Sequence, residues 1–193
     1  MEQFIDSTEY DKLIKRIEFF DVTRNNLLSF SFTAVLAALG ATLIVENEFI
    51  SSLICLVPFF LIIPFAARIS YYRLATAHIS SFLRVFAKNK MKFEIATKEV
   101  PEGKCKHYKL ISWLVNHEMF LLGLACSCTF YIKFLDCIQT WNLWDCIIMI
   151  VPVLLNIMVF TLSNATSDFA MLITKFSDDW LVYHIEEAVD LQS

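Results

Sequence analysis

The chain has 193 residues, 57% of them apolar and 19% charged, with 16 Lys and Arg against 20 Asp and Glu for a formal net charge of −4. Soluble domains carry about 45–50% apolar and about 25% charged residues, so the balance speaks against an ordinary water-soluble fold, and the mean hydropathy of +0.56 agrees. Three Gly and four Pro exclude a loop-rich or low-complexity chain, and so small a net charge indicates no direct nucleic-acid binding.

Residues 1–26 are too polar and too acidic for a cleavable signal peptide, so the first apolar run reads as an uncleaved anchor. Asp6, Ser7 and Thr8 supply N-cap candidates, and Tyr10, Leu13, Ile14, Ile17 and Phe20 then recur at helical spacing. Neither Pro nor Gly intervenes before Gly40, so this amphipathic helix is expected to continue into the apolar run.

A helix needs roughly 20 apolar residues, in a range of about 17–25, to cross the hydrocarbon of a bilayer. Leu27 to Val45, Phe49 to Ala67, Met119 to Leu135 and Leu143 to Leu162 have that character. Soluble core helices are usually shorter or two-faced. The first run carries a stripe of small residues, Ala34, Ala37, Ala38 and Ala41 beside Gly40, which suits close helix contact. Pro58 and Pro64 predict kinks in the second. Glu46-Asn47-Glu48 and the segment Asp136 to Asn142 are short enough to force antiparallel hairpins, 27–67 and 119–163.

Between the hairpins lies a polar segment, 68–118. Its first part continues the helix, with Ile69, Tyr72, Thr76, Ile79, Leu83 and Phe86 on one face and Arg73, Arg84 and Lys88 off it. Met91 to Ile95 reads as a short strand or extended link, Pro101-Glu102-Gly103 as a turn, and Tyr108 to His117 as a helix leading into the third span. Residues 164–193 form a last helix with Phe169, Leu172, Ile173, Phe176, Trp180 and Tyr183 on one face and acids, including Asp168, on the other.

Fourteen of the 16 basic residues lie before the first span or between the second and third. The short connections hold acids and no Lys or Arg. The positive-inside bias therefore puts both termini in the cytoplasm of a multi-pass inner-membrane protein. The fold class read from the sequence is all-α, a four-helix transmembrane bundle with helical cytoplasmic extensions.

The central segment holds ten basic residues against four acids, and the tail one Lys against six acids. This opposition implies contact between them, within the chain or across subunits, and marks Arg84, Lys88, Lys90, Lys92, Asp178, Asp179, Trp180 and Glu186 as partner-binding candidates. Basic residues beside a bilayer also attract anionic lipid. Within the spans, Asn156 is the one strongly polar residue at depth, suited to hydrogen bonding a neighbouring helix, while Lys133 lies near a span end, where it can snorkel.

No catalytic constellation is present. His184 and Glu187 share a helical face without a second ligand pair, and Cys126-x-Cys128 likewise lacks a partner pair, so neither a metal nor a cofactor is expected. Cys137 and Cys146 flank a short connection and can approach each other. Asn164-Ala165-Thr166 matches a glycosylation acceptor on the wrong side of the membrane.

Arg68-Ile69-Ser70-Tyr71-Tyr72-Arg73, Ala77 to Phe86 and Met91-Lys92-Phe93-Glu94 together resemble a widespread group of small bacterial four-span membrane proteins, with Phe93 in place of a Trp. The resemblance covers the first half of the chain and brings no assigned chemistry. In architecture the chain also resembles the membrane subunits of bacterial antiphage systems such as Kiwa, which implies a soluble partner held at the membrane. The expected function is thus a non-enzymatic oligomeric scaffold or sensor that recruits a soluble cytoplasmic protein. The alternative is a pore-forming channel or membrane-disrupting effector, in which any pore forms between subunits.

Overall fold

The computed structural model describes residues 6–87, 108–138 and 142–190. Every element among them is a helix: α1 (Ser7–Ala41), α2 (Glu48–Ile54), α3 (Phe59–Phe86), α4 (Tyr108–Asn116), α5 (Glu118–Cys137), α6 (Leu143–Asn164) and α7 (Phe169–Asp190). The strand or link at Met91–Ile95 and the turn at Pro101–Gly103 lie outside the described residues. The chain divides into two compact units: Met1–Thr23, Tyr71–Ser112 and Asp168–Ser193 form one, and Arg24–Ser70 with Trp113–Ser167 the other.

In the second unit, Val35 of α1, Phe59, Ile62, Ala66 and Ile69 of α3, Met119, Leu122 and Cys126 of α5 and Val159 of α6 close one core. A smaller cluster forms where Cys55 meets Phe130 and Phe134, whose rings stack at 5.1 Å. Among the described residues, three helical stretches are long and apolar enough to cross a membrane: Glu48–Phe86, Glu118–Cys137 and Leu143–Asn164. Only 39%, 33% and 22% of their apolar stretches are buried, so most of that surface faces outward. On α6, Leu143, Trp144, Ile147, Ile150, Leu154 and Ile157 are all exposed, an arrangement suited to hydrocarbon and not to water.

The first apolar run stands apart. Helix α1 is continuous from Ser7, as the absence of Pro and Gly predicts, but stops at Ala41, and Thr42 to Ile44 form turns. The helical part of the run, Leu27 to Ala41, is roughly 22 Å long at about 1.5 Å per residue, against ~30 Å of hydrocarbon.

Proline writes the remaining interruptions. Pro58 has no N–H for the Ile54 carbonyl, and the Val57 N–H takes that carbonyl instead at 3.1 Å. Neighbouring amides likewise reach back only three residues, so the second apolar run is split at Cys55–Pro58 into α2 and α3 and not simply kinked. Pro64 is absorbed inside α3. The starts of α2 and α6 are written locally. The Asn47 side chain accepts from the Ile50 N–H at 3.0 Å. Asn142 and Asp145 form a reciprocal capping box, with bonds of 3.0 and 3.1 Å.

In the first unit, Leu83 and Ala87 are buried against Tyr10, Leu13, Ile14 and Ile17 of α1 and Ile79 and Phe82 of α3. Phe20 stacks on Tyr72 at 5.2 Å, so the two helices run antiparallel. The Arg16 guanidinium lies 5.7 Å from the Phe20 ring, within cation–π range. Arg73, expected off this face, is buried at 8% exposure. Asp168 is not part of an acidic face: its carboxylate accepts from the Met171 N–H at 2.9 Å and caps α7.

Because Leu83 is fully buried, Leu83→Ala is expected to cost about 2–5 kcal/mol, whereas Leu74→Ala, at a position 40% exposed, should stay within ~0.5 kcal/mol. Thermal unfolding of the two variants in detergent checks the contrast.

Candidate functional site

The polar centre of the second unit lies where α5 meets α6. Asn156 points inward and is buried at 7% exposure. Its amide donates to Ser127 Oγ and, at 2.8 Å, to the Pro152 carbonyl, while Oδ1 has no hydrogen-bond partner among the described residues. Only glycine fits opposite: a Cβ on Gly123 would stand 2.8 Å from Asn156 Oδ1 and 3.1 Å from Phe59 Cε1. Gly123 thus lets α5 approach α3 and α6 at one level. Pro152 has no N–H for the Ile148 carbonyl. One residue on, the Met149 carbonyl accepts instead from the Tyr131 hydroxyl at 2.7 Å, a tie from α5 to the loosened turn of α6. Asn156 of α6 thus bonds Ser127 of the neighbouring α5.

Outward from this junction, α5 and α6 enclose an open groove of about 420 Å³ between Phe120 and Phe160 at one end and Tyr131 at the other.

A second feature is a buried histidine at the end of the helix read over Tyr108 to His117. The helix predicted over Tyr108 to His117 ends at Asn116, and His117 forms a break with φ −115° and ψ 22° before α5 begins. Its ring is only 2% exposed, stacked 4.7 Å from Trp113 and 5.5 Å from Phe160. Nδ1 lies 2.9 Å from the Trp113 carbonyl. A carbonyl only accepts, so Nδ1 carries the proton; Nε2 is buried without a partner among the described residues. Asn116 fixes the same corner by donating to the Ser167 carbonyl at 3.0 Å. The i, i+4 pair Trp113 and His117 is visible in the sequence, but nothing there reveals that Phe160 closes the other ring face.

Lys133 does not merely snorkel. Its Nζ lies 2.9 Å from Glu48 Oε2, joining α5 to the start of α2.

Of the partner-binding candidates, Trp180 is the one the structure builds into a cluster, packing at 5.0 Å on His78, 5.1 Å on Phe82 and 6.4 Å on Phe86. Phe176 meets His78 edge-on at 5.1 Å. Arg84 is not brought to this cluster. It falls between Phe82 and Phe86, about 200° from each at ~100° per residue, and its Nη1 is buried without a partner among the described residues. Asp178 and Asp179 are exposed, so α7 meets α3 through aromatic rings while these acids face solvent. Lys88, Lys90 and Lys92 lie outside the described residues, as does the side chain of Glu186. No group of three His, Cys, Asp or Glu among the described residues could hold a metal ion.

Comparison with protein-family models, with characterised proteins and with solved structures returns no match.

Gly123→Ala is expected to destabilise the chain, since its new methyl group meets both Asn156 Oδ1 and the Phe59 ring. Asn156→Ala should cost about 0.6–2 kcal/mol, the range for a hydrogen bond between apolar helices. Combining the two should cost less than their sum, because the smaller side chain makes room for the methyl group. A double-mutant cycle by thermal unfolding reads the coupling.

Proposed function

We propose that this chain is a non-enzymatic, oligomeric scaffold or sensor of the inner membrane. It crosses the bilayer four times, the fourth crossing being the run Leu27 to Val45 of which α1 forms the part to Ala41, and keeps both ends in the cytoplasm. Its soluble partner is engaged on the cytoplasmic side, in the manner of the antiphage membrane subunits that the sequence resembles. The observation that carries the reading is the contrast between two helical surfaces. The exposed face of α6 is a continuous apolar belt, Leu143 to Met158, whereas α7 puts Asp178 and Asp179 outward and turns Trp180 onto its own unit. A lipid-facing surface and a charged helical surface on one chain are what a membrane-held recruiter needs.

A pore between subunits is the competing reading. Asn156 directs its amide to Ser127 and to Pro152, within its own hairpin, and that satisfaction favours packing over a water-filled path.

The chain, extracted from its native membranes in mild detergent, is expected to bring a soluble protein with it. Asp178→Lys combined with Asp179→Lys should weaken that association by about tenfold, or ~1.4 kcal/mol, with thermal unfolding unchanged. Recovery of bare protomers would overturn the scaffold reading, and steady conductance in planar bilayers would replace it with the pore.

A further inference from the structure

Helix α4 is amphipathic in the inverse sense. Placed on a helical wheel at about 100° per residue, Leu110, Ile111, Trp113, Leu114 and Val115 fill one arc and Lys109, Ser112 and Asn116 the opposite one. The polar arc is the one tied to the protein, through the Asn116 bond to the Ser167 carbonyl. All five apolar residues of the other arc are exposed, from 57% at Leu110 to 40% at Leu114. A helix surrounded by water would be turned the other way, its apolar arc against a core.

Two observations say what covers it. The first is continuity. No loop separates α4 from α5: the His117 N–H donates to the Trp113 and Leu114 carbonyls at 3.0 and 3.1 Å, and the Leu121 N–H donates to the His117 carbonyl at 2.9 Å. Since α5 is long and apolar enough to cross a bilayer, Trp113 lies only about 8 Å along the chain axis from its first residue. The headgroup layer is itself roughly 5–8 Å deep on each side. The second is charge. From Lys104 to His117 the sequence holds three Lys and no acid, a composition drawn to anionic headgroups. The stacking of His117 between Trp113 and Phe160 pins the last turn of α4 at this level.

We propose that α4 is an interfacial anchor for anionic phospholipid. Trp113, Leu114 and Val115 sit within the headgroup layer, where tryptophan collects in membranes, Leu110 and Ile111 lie at its outer edge, and the net positive charge of residues 104–117 draws anionic headgroups to this level. The inference rests on the membrane-spanning arrangement proposed above and adds a lipid class and a place to it.

The test uses the full chain in vesicles of phosphatidylcholine, alone or mixed with phosphatidylglycerol. Trp141, Trp144 and Trp180 are replaced by Phe, so that Trp113 is the sole fluorophore. Trp113 emission is expected to be quenched by lipids brominated near the headgroup and protected from acrylamide in the mixed vesicles. Removing phosphatidylglycerol, or introducing Lys109→Glu, should raise acrylamide access about fivefold. A second reading needs no Trp replacement: wild type and Lys109→Glu, each with its native Trp residues, should differ in total quenching by shallow-brominated phosphatidylglycerol.

A control variant carries Leu154→Trp as its sole Trp, on the exposed face of α6. If that residue is quenched by deeply brominated lipid while Trp113 stays equally open to acrylamide in both vesicles, the anchor is wrong and the spanning arrangement stands. Should Leu154→Trp itself be open to acrylamide, both fall. Protection of Trp113 that persists in detergent and ignores lipid charge would assign the arc to a protein partner and overturn the proposal.

Discussion

A helix in hydrocarbon has no water to complete its hydrogen bonds, so every polar group it carries must be answered from within the chain. That constraint accounts for the hydroxyl side chains along the apolar helices. Ser31 donates to the Leu27 carbonyl, Thr33 to Ser29, Thr129 to Ala125 and Thr161 to Met158, each within its own helix. Ser70 donates across to the Leu162 carbonyl at 2.7 Å, tying α3 to the end of α6. These hydroxyls serve the backbone. In the turn after α1, Ser51 Oγ donates to the Thr42 carbonyl at 2.9 Å.

Where the ladder is broken, compensation is local. The tightened turn at Pro58 and the Tyr131 bond beside Pro152 answer carbonyls close to the missing amide. Asn156 Oδ1 and His117 Nε2 are costs of this economy, buried without a hydrogen-bond partner among the described residues. A small residue that lets facing side chains close onto its helix, as Gly123 does for Asn156 and Phe59, is how helices associate when lipid is as apolar as their own side chains. The junction is therefore a packing device first.

The first unit follows different physics. Charge opposition between the central segment and the tail pointed to electrostatic packing, but exposed ion pairs contribute only about 0–1 kcal/mol in water. Aromatic pairs add about 0.5–1.5 kcal/mol beyond the area they bury. Trp180 against His78 and Phe82 is accordingly what joins α7 to α3. Asp178 and Asp179 take no part in that contact and remain exposed.

Much of the helical architecture was legible in the sequence, because helix formation and length are local matters. Long apolar runs set α1, α5 and α6, which hold their helices through Gly40, Gly123 and Pro152. What only the tertiary structure decided concerns groups whose partners are distant in the chain. Lys133 meets Glu48, His117 is enclosed by Phe160, Arg73 turns inward and Arg84 away from Trp180. Periodicity reports which residues share a face of one helix; it carries no information on which other helix that face will meet, and so neither the ion pair nor the buried imidazole can be read before the helices are packed.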